Sequence, residues 1–296
     1  MVQKLLWMMF LSYIQEVPSK KQEIMAMSNK FETPYPIFKI IGQRIEQVLA
    51  IVEADIRKLH HDPYELLTRM IQPAIWLLIF GQAMAKARAI PTGTLSYLDF
   101  IAPGILAQSI LFIAIFYGIA LIWERDMGIL HKILVSPTPR SILVIGRAIA
   151  AGLRGLSQIF IIYLISMFLG VHIRWEFLPI LGVLATVMLG GAIFSTFSLI
   201  IAAIVKKRER FMGIGQVMTM PLFFASNALY PLEMMPGWLQ VVSILNPLTY
   251  QVDALRSFMV TGEATTFGLF VDFGVGILAL SILISIATKI YPKILY

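Results

Sequence analysis

Cysteine is absent from all 296 residues. Without a thiol, a disulfide framework, a thiolate metal site and a cysteine nucleophile are all excluded. Charge is scarce too: Asp, Glu, Lys and Arg make up only 14% of the chain. The usual catalytic signatures are missing, with no G-x-x-x-x-G-K-[ST] phosphate loop, no H-E-x-x-H, no G-x-S-x-G and no G-x-G-x-x-G. The chain therefore does not hydrolyse ATP through a phosphate loop, and no enzymatic site is expected in it. Histidine occurs at four scattered positions, His60, His61, His131 and His172. The adjacent pair His60 and His61 does not converge on one ion without further ligands, so no metal is expected. Paired carboxylates deep in an apolar segment are also missing. Asp99 and Glu176 each fall at a predicted outer boundary, where acids are ordinarily solvated. An ion-coupled pump marks itself with such a buried relay, and here there is none.

Apolar sequence is abundant. Hydrophobic residues make up 58% of the chain and mean hydropathy is +0.80, more than a soluble domain of this length can bury. They come in runs, and runs of about 18 or more read as membrane helices. Six stand out, near Arg69–Ala85, Leu98–Ile122, Ser141–Gly170, Phe177–Val205, Phe211–Tyr230 and Phe267–Lys289. The fold class read from this is an all-α membrane protein of six transmembrane helices. With the N-terminus inside, eighteen Lys and Arg fall on the inner side and four, Lys86, Arg88, Arg174 and Arg256, on the outer side. The positive-inside rule then sets both termini in the cytoplasm of a multi-pass protein of the cell membrane. The net charge of +7 is thereby a topology signal and calls for no nucleic acid.

Three segments follow from the pattern. Residues 1–36 read as a cytoplasmic N-terminal segment. Its opening apolar stretch is too short to span and lacks a small-x-small cleavage site, so it reads as a surface-lying helix or as translation from an upstream start. Residues 37–62 carry Phe38, Ile41, Ile45, Val48, Val52, Ile56 and Leu59 at spacings of three and four, with Gln43, Arg44, Glu53, Asp55 and Lys58 opposite. That is an amphipathic helix expected to lie in the headgroup plane, ended by the proline of "HHDP". Residues 63–296 form the transmembrane domain. Within it, Gly182, Thr186 and Gly190 make a small-residue stripe suited to close helix packing. After Pro221 the chain becomes too apolar for a solvated loop and too broken for a span. This predicts short helices dipping back into the outer leaflet between spans five and six, with Asn246 as an N-cap and Pro247 at the first helical position.

Between the second and third runs stands "WERDMGILHKILVSPTPR", residues 123–140. Acid and base side by side, a glycine, an apolar stripe and two prolines are more than a connector needs. Met127, Leu130, Leu134 and Val135 are expected on one helical face, Gly128 permits close approach, and Pro137 and Pro139 stop the helix. Glu124, Arg125 and Asp126 can form charge-assisted pairs at the rim.

This stretch resembles the E-R-E-x-G-T-L-x-x-L-x-x-[TS]-P segment of ABC-2 type permeases. The outer segment is similar to a second motif of the same family, through Tyr230, Pro231, Met235, Pro236, Trp238, Asn246, Pro247, Tyr250 and Arg256. The nearest flavour is the daunorubicin-resistance-like exporter permeases, over residues 40–290. Asp126 stands where Glu is usual, His131-Lys132 replaces a more acidic pair, and Asn227 stands where Gly is common. The resemblance implies a transport subunit that moves an amphiphile (drug, lipid or lipid-linked glycan) outward. By that resemblance it would pair with a second copy as a homodimer and be driven by a separate ATPase that uses ATP and Mg. This chain itself binds no cofactor. The ATPase would be coupled through Glu124, Arg125, Asp126, Gly128, Leu130, Leu134 and Pro137. The rival readings are an ion-coupled secondary transporter and a membrane enzyme. The first needs inverted repeats and midplane ionisable groups, the second a convergent polar cluster.

Arg147 and Arg154 are charges inside a predicted span, seven residues apart and so about 10 Å along one helical face. With Gly170 at the outer edge, Arg147 falls at headgroup level and Arg154 within a turn of the inner boundary. Two expectations follow: anchoring to lipid phosphates, or an anionic substrate headgroup drawn into the inner mouth of a pathway.

Overall fold

A computed structural model describes residues 37–61, 68, 71–88, 90–93, 95–130, 133, 138–205 and 207–294. The chain divides into two units, residues 1–46 and 47–296. Of the first, residues 37–46 are described and are helical. The predicted N-terminal segment, and Leu134 and Pro137 of the charged stretch, lie outside the described residues.

Helix α1 is Ile37–His61. A π-helical segment, Trp76–Gly81, runs into α2, Gln82–Ala87. Then come α3 (Tyr97–Asp126), α4 (Arg140–Phe168), α5 (Phe177–Val205) and α6 (Arg208–Phe224). The short α7 (Gly237–Leu245) and α8 (Pro247–Met259) precede α9 (Leu269–Ile290). Four of these helices, α3, α4, α5 and α9, are long and apolar enough to cross a membrane. The six expected spans are thus matched in four places. In the fifth, α6 is a helix of 17 residues carrying Pro221. In the first, residues 71–87 are helical, with the π-helical segment in the middle.

Helix α3 is apolar on every side and is the axis of the bundle: 78% of its most apolar stretch is buried, against 11% for α9. A helix hydrophobic all round belongs inside, whereas α9 presents Phe270, Ile277, Leu278 and Ile282 outward. The predicted second span ends at Ile122, yet α3 continues one further turn through the charged residues to Asp126. Helices α4 and α5 cross where Gly152 meets Gly191. A Cβ on Gly191 would lie 2.8 Å from the Gly152 Cα, so only glycine permits this approach.

The helix ends around Asp99 are sewn together by backbone and short side chains. Ser96 caps α3 by accepting from the Asp99 N–H at 3.1 Å. The Asp99 carboxylate, 3% exposed, accepts from the His172 backbone N–H at 2.8 Å. Burial of this acid departs from the solvated position expected of it. A single antiparallel bridge joins Ile173 to Val260, with Arg174 N–H on Met259 O at 2.9 Å and Thr261 N–H on His172 O at 3.0 Å.

Asn246 caps α8 and Pro247 is its first residue, as the sequence predicts. The asparagine does more than cap. While Oδ1 accepts from the Leu248 N–H at 3.0 Å, Nδ2 donates to Leu222 O at 2.7 Å and Ala225 O at 2.9 Å. Those are carbonyls where α6 ends, and the side chain supplies donors that the stopped helix lacks.

Candidate functional site

At the Asp126 end of α3, four residues from two faces meet. Tyr117 and Glu124 are seven apart on α3, and Arg147 and Arg154 are seven apart on the neighbouring α4. Seven residues advance both helices by nearly two turns, so the pairs register. Arg147 donates to Glu124, and the Arg154 guanidinium lies 5.3 Å from the centre of the Tyr117 ring. Arg147 and Glu124 are 5% and 6% exposed, so their pairing happens away from water, where an unpaired partner is costly. The Tyr291 ring beside them is buried.

Helix α1 joins the same cluster through its polar face. Lys58 donates to Glu124 Oε1 at 2.9 Å and reaches Asp55 Oδ1 at 3.4 Å. Asp55, buried, accepts from the Tyr117 hydroxyl. Near them Ile51 packs against Gly146 of α4 and Val52 is buried, while Leu49 and Ile56 are exposed. The expected amphipathic face is therefore rotated. Asp55, assigned to the solvent side, points into the bundle because Tyr117 offers it a donor.

A second set closes the rim on the other side. Asp126 pairs with Arg125 at 2.7 Å and with Arg208, at the start of α6, at 2.9 Å; the Arg208 guanidinium lies 4.0 Å over the Trp123 ring. Beyond Asp126 the helix breaks. Gly128 adopts φ +71°, and a Cβ there would meet nothing within 4 Å. Glycine suits this left-handed conformation, which side chains rarely adopt. The break also separates two residues expected on one face: Met127 is 60% exposed and Leu130 fully buried.

Alongside the cluster opens a cavity of about 1040 Å³ between α1, α3, α4 and α6 and the helical stretch around Pro73. Its walls are mostly apolar, with Glu124, Tyr117, Lys58, Arg154, Gln108 and Gln216 among the polar points. Arg154 faces it. Arg147 does not line it, being held on Glu124 within the protein. The two arginines expected to act as a pair on one ligand are thus placed in different surroundings.

The residues of the second family-like motif lie elsewhere and hold the segment from Tyr230 to Arg256 to itself and to α3. Tyr230 donates to Phe224 O at 2.6 Å, and Tyr250 to Ile244 O at 2.8 Å while its ring sits 5.0 Å from that of Phe267. Pro231 O accepts from Met234 N–H at 3.1 Å, and Pro236 O accepts from Leu239 N–H at 2.8 Å, starting α7. Met235 is buried and Trp238 is exposed. Arg256 donates to Asn227 O at 2.8 Å and stacks 3.9 Å over Phe100.

Residues 46–260 match the family model described as ABC-2 type transporter. The chain belongs to that family. Among its relatives, ycf38 of Cyanophora paradoxa, named as a transport permease, is 30% identical over 224 residues, 72% of this chain and 73% of the relative. The daunorubicin resistance ABC transporter permease protein DrrB1 of Streptomyces coeruleorubidus is 25% identical over 199 residues, 67% of this chain and 70% of the relative. The inner membrane transport permease YadH of Escherichia coli K12 is 26% identical over 221 residues, 70% and 82% of the two. This ABC-2 family chain is accordingly a multi-pass membrane protein.

Lys58, Asp55, Tyr117 and Arg208 were missed as site residues by sequence reasoning. The signal for two of the contacts was present, in the matching seven-residue spacings of α3 and α4. Nothing in the sequence announces that Lys58, some 66 positions away, closes on Glu124.

Proposed function

We propose that this chain is the membrane-spanning permease subunit of an ATP-binding-cassette exporter, and that it carries an amphiphile out of the cytoplasm with energy from a separate ATPase. In this reading two copies pair, six segments span the bilayer with α7 and α8 dipping into the outer leaflet, and both termini are cytoplasmic. ATP and Mg are used by the partner, and this chain binds no cofactor.

The observation that carries the reading is Glu124. The charged residue of the family-like stretch is the point where α1, α3 and α4 are tied, and it also lines the cavity. A push on the turn after Asp126 is delivered to α4 through Arg147, to α1 through Lys58 and to α6 through Asp126 and Arg208. Those are the walls of the cavity, so its inner mouth changes shape with the push. The volume suits a drug- or lipid-sized molecule, and apolar walls with a few amide groups suit an amphiphile.

Two exposed apolar side chains at the turn, Met127 and Ile129, are the expected landing point of the ATPase. Met127→Glu combined with Ile129→Glu should leave the protein inserted at its usual level. A co-expressed cassette ATPase should no longer purify with it, and substrate-stimulated ATP hydrolysis should drop roughly tenfold or more, the effect of losing about 1.4 kcal/mol. Normal copurification would remove the landing point from this turn.

The span count has its own test, helped by the natural lack of cysteine. Lys207→Cys should react with an impermeant thiol reagent in inverted vesicles only, and Glu263→Cys in intact cells only. Labelling of both from one side contradicts six spans.

A further inference from the structure

Where α8 leans on α5 and α9 there is a small pocket of about 10 Å³, bordered by Thr186 and Gly190 of α5, Gln251 of α8, and Asp272 and Gly276 of α9. One water-sized particle needs about that much room. Asp272 is 4% exposed and Gln251 6%. Among the described residues neither carboxylate oxygen of Asp272 has a hydrogen-bond partner, and neither amide atom of Gln251 has one. Thr186 donates its hydroxyl proton to Gly182 O at 2.8 Å, which leaves its oxygen lone pairs for the pocket. The Gln251 amide is pressed flat on α5: a Cβ on Gly190 would come 2.1 Å from its Nε2. The glycine in the small-residue stripe thus makes room for a polar group.

Buried polar atoms are nearly always satisfied, and a buried carboxylate without a partner is unfavourable. Three occupants can relieve the arrangement. A proton neutralises Asp272 but leaves the space empty and the amide and hydroxyl oxygens bare. Water fills the space and leaves the charge. A metal cation does both. The available donors are a carboxylate, an amide oxygen and a hydroxyl, all hard oxygen ligands, and one carboxylate matches one positive charge. Asp272 also lies in the first turn of α9, where the positive end of the helix favours its ionised form. The titratable groups facing it are Asp253 and Tyr250 of α8. Asp253 accepts the Thr266 and Phe267 N–H groups at 2.8 and 3.0 Å, and Tyr250 donates to Ile244 O. The α5 residues at the pocket, Thr186, Leu189, Gly190 and Ile193, are uncharged.

We propose that Asp272, Gln251 and Thr186 form a site for one monovalent metal cation of sodium-like size and hardness. The ion clamps the short outer helix α8 onto α5 and α9. This stands apart from the export reading, since it concerns how the outer helices are fastened and needs neither ATPase nor substrate.

The test is thermal unfolding of the purified full chain in detergent. NaCl is compared with N-methyl-D-glucamine chloride at matched ionic strength, at about pH 8, where a carboxylate is ionised. NaCl should raise the midpoint saturably by roughly 3–5 °C. Asp272→Asn should unfold at the same temperature in both salts. Thr186→Val, which removes a single neutral ligand, should raise the half-saturating NaCl concentration roughly tenfold, and it decides the matter if Asp272→Asn does not accumulate. Equal midpoints for the unaltered protein in the two salts would overturn the site. So would a sodium response that survives Asp272→Asn, or an unshifted response in Thr186→Val. Stabilisation by acid in place of sodium, abolished by Asp272→Asn, would make the occupant a proton and equally overturn it.

Discussion

Replacing Arg147 with Met should destabilise the protein by about 3–5 kcal/mol, the cost of stranding one partner of a buried ion pair. Arg147 is buried and donates to Glu124, and its loss leaves that carboxylate with Lys58 as its remaining cation. Lys58 is 56% exposed, so it shares its charge with water and replaces little of what is lost. Glu124→Gln should cost a similar amount, because it strands the guanidinium instead. The two together, Glu124→Gln with Arg147→Met, should be much milder than the sum, since removing both members of a buried pair is often close to neutral. Unfolding midpoints of the purified variants give all three values. Additive losses in the double variant would mean that the two side chains act separately. The same double variant informs the export reading. With fold restored but the tie between α3 and α4 gone, transport should stay low.

Asn246→Leu should cost about 3 kcal/mol, from a lost N-cap and two α6 carbonyls left without a donor. For a domain of this size that is a fall in midpoint of roughly 6–12 °C. The discriminating variant is Asn246→Asp. Aspartate caps a helix as well as asparagine does, so if capping were the whole role it should be neutral. But a carboxylate cannot donate to Leu222 O and Ala225 O, and it would set negative charge against both. Asn246→Asp should therefore be no better than Asn246→Leu, and an unchanged midpoint for it would show that the two carbonyls do not depend on Asn246.

Much of this was legible because a membrane helix is specified by local sequence. Long apolar runs predict α3, α4, α5 and α9, and an asparagine before proline predicts the start of α8. The charged stretch announced itself by being too elaborate for a loop. Partners were harder to read. Arg147 looked like a lipid or substrate ligand because its depth could be estimated from length, whereas its pairing with Glu124 was hinted at only by the matching seven-residue spacings on α3 and α4. Asp55 looked like a solvent-side residue because periodicity assigns faces by hydropathy alone, and Tyr117 overrides that with a hydrogen bond. Gly128 was read as allowing close approach, and the structure adds a positive φ at which the chain changes direction, a conformation that spacing alone does not announce. The pocket at Asp272 was invisible in sequence, since its three oxygens come from three helices.

The bridge between Ile173 and Val260 has a mechanical consequence. It joins the α4–α5 connection to the end of α8 by backbone bonds, and Asp99 fastens the head of α3 to the same connection. At the opposite end the helices are linked by long ionic side chains that can exchange partners. A body pinned at one end and loosely tied at the other moves as a lever with its fulcrum at the pinned end. Helix α3, with 30 residues, is about 45 Å long. A tilt of only about 5° about its Asp99 end sweeps the Asp126 end through roughly 4 Å, about three-quarters of the 5.4 Å rise of one helical turn. A small stroke at the Asp126 end can thus widen the mouth of the cavity there while the seam at the Asp99 end stays shut.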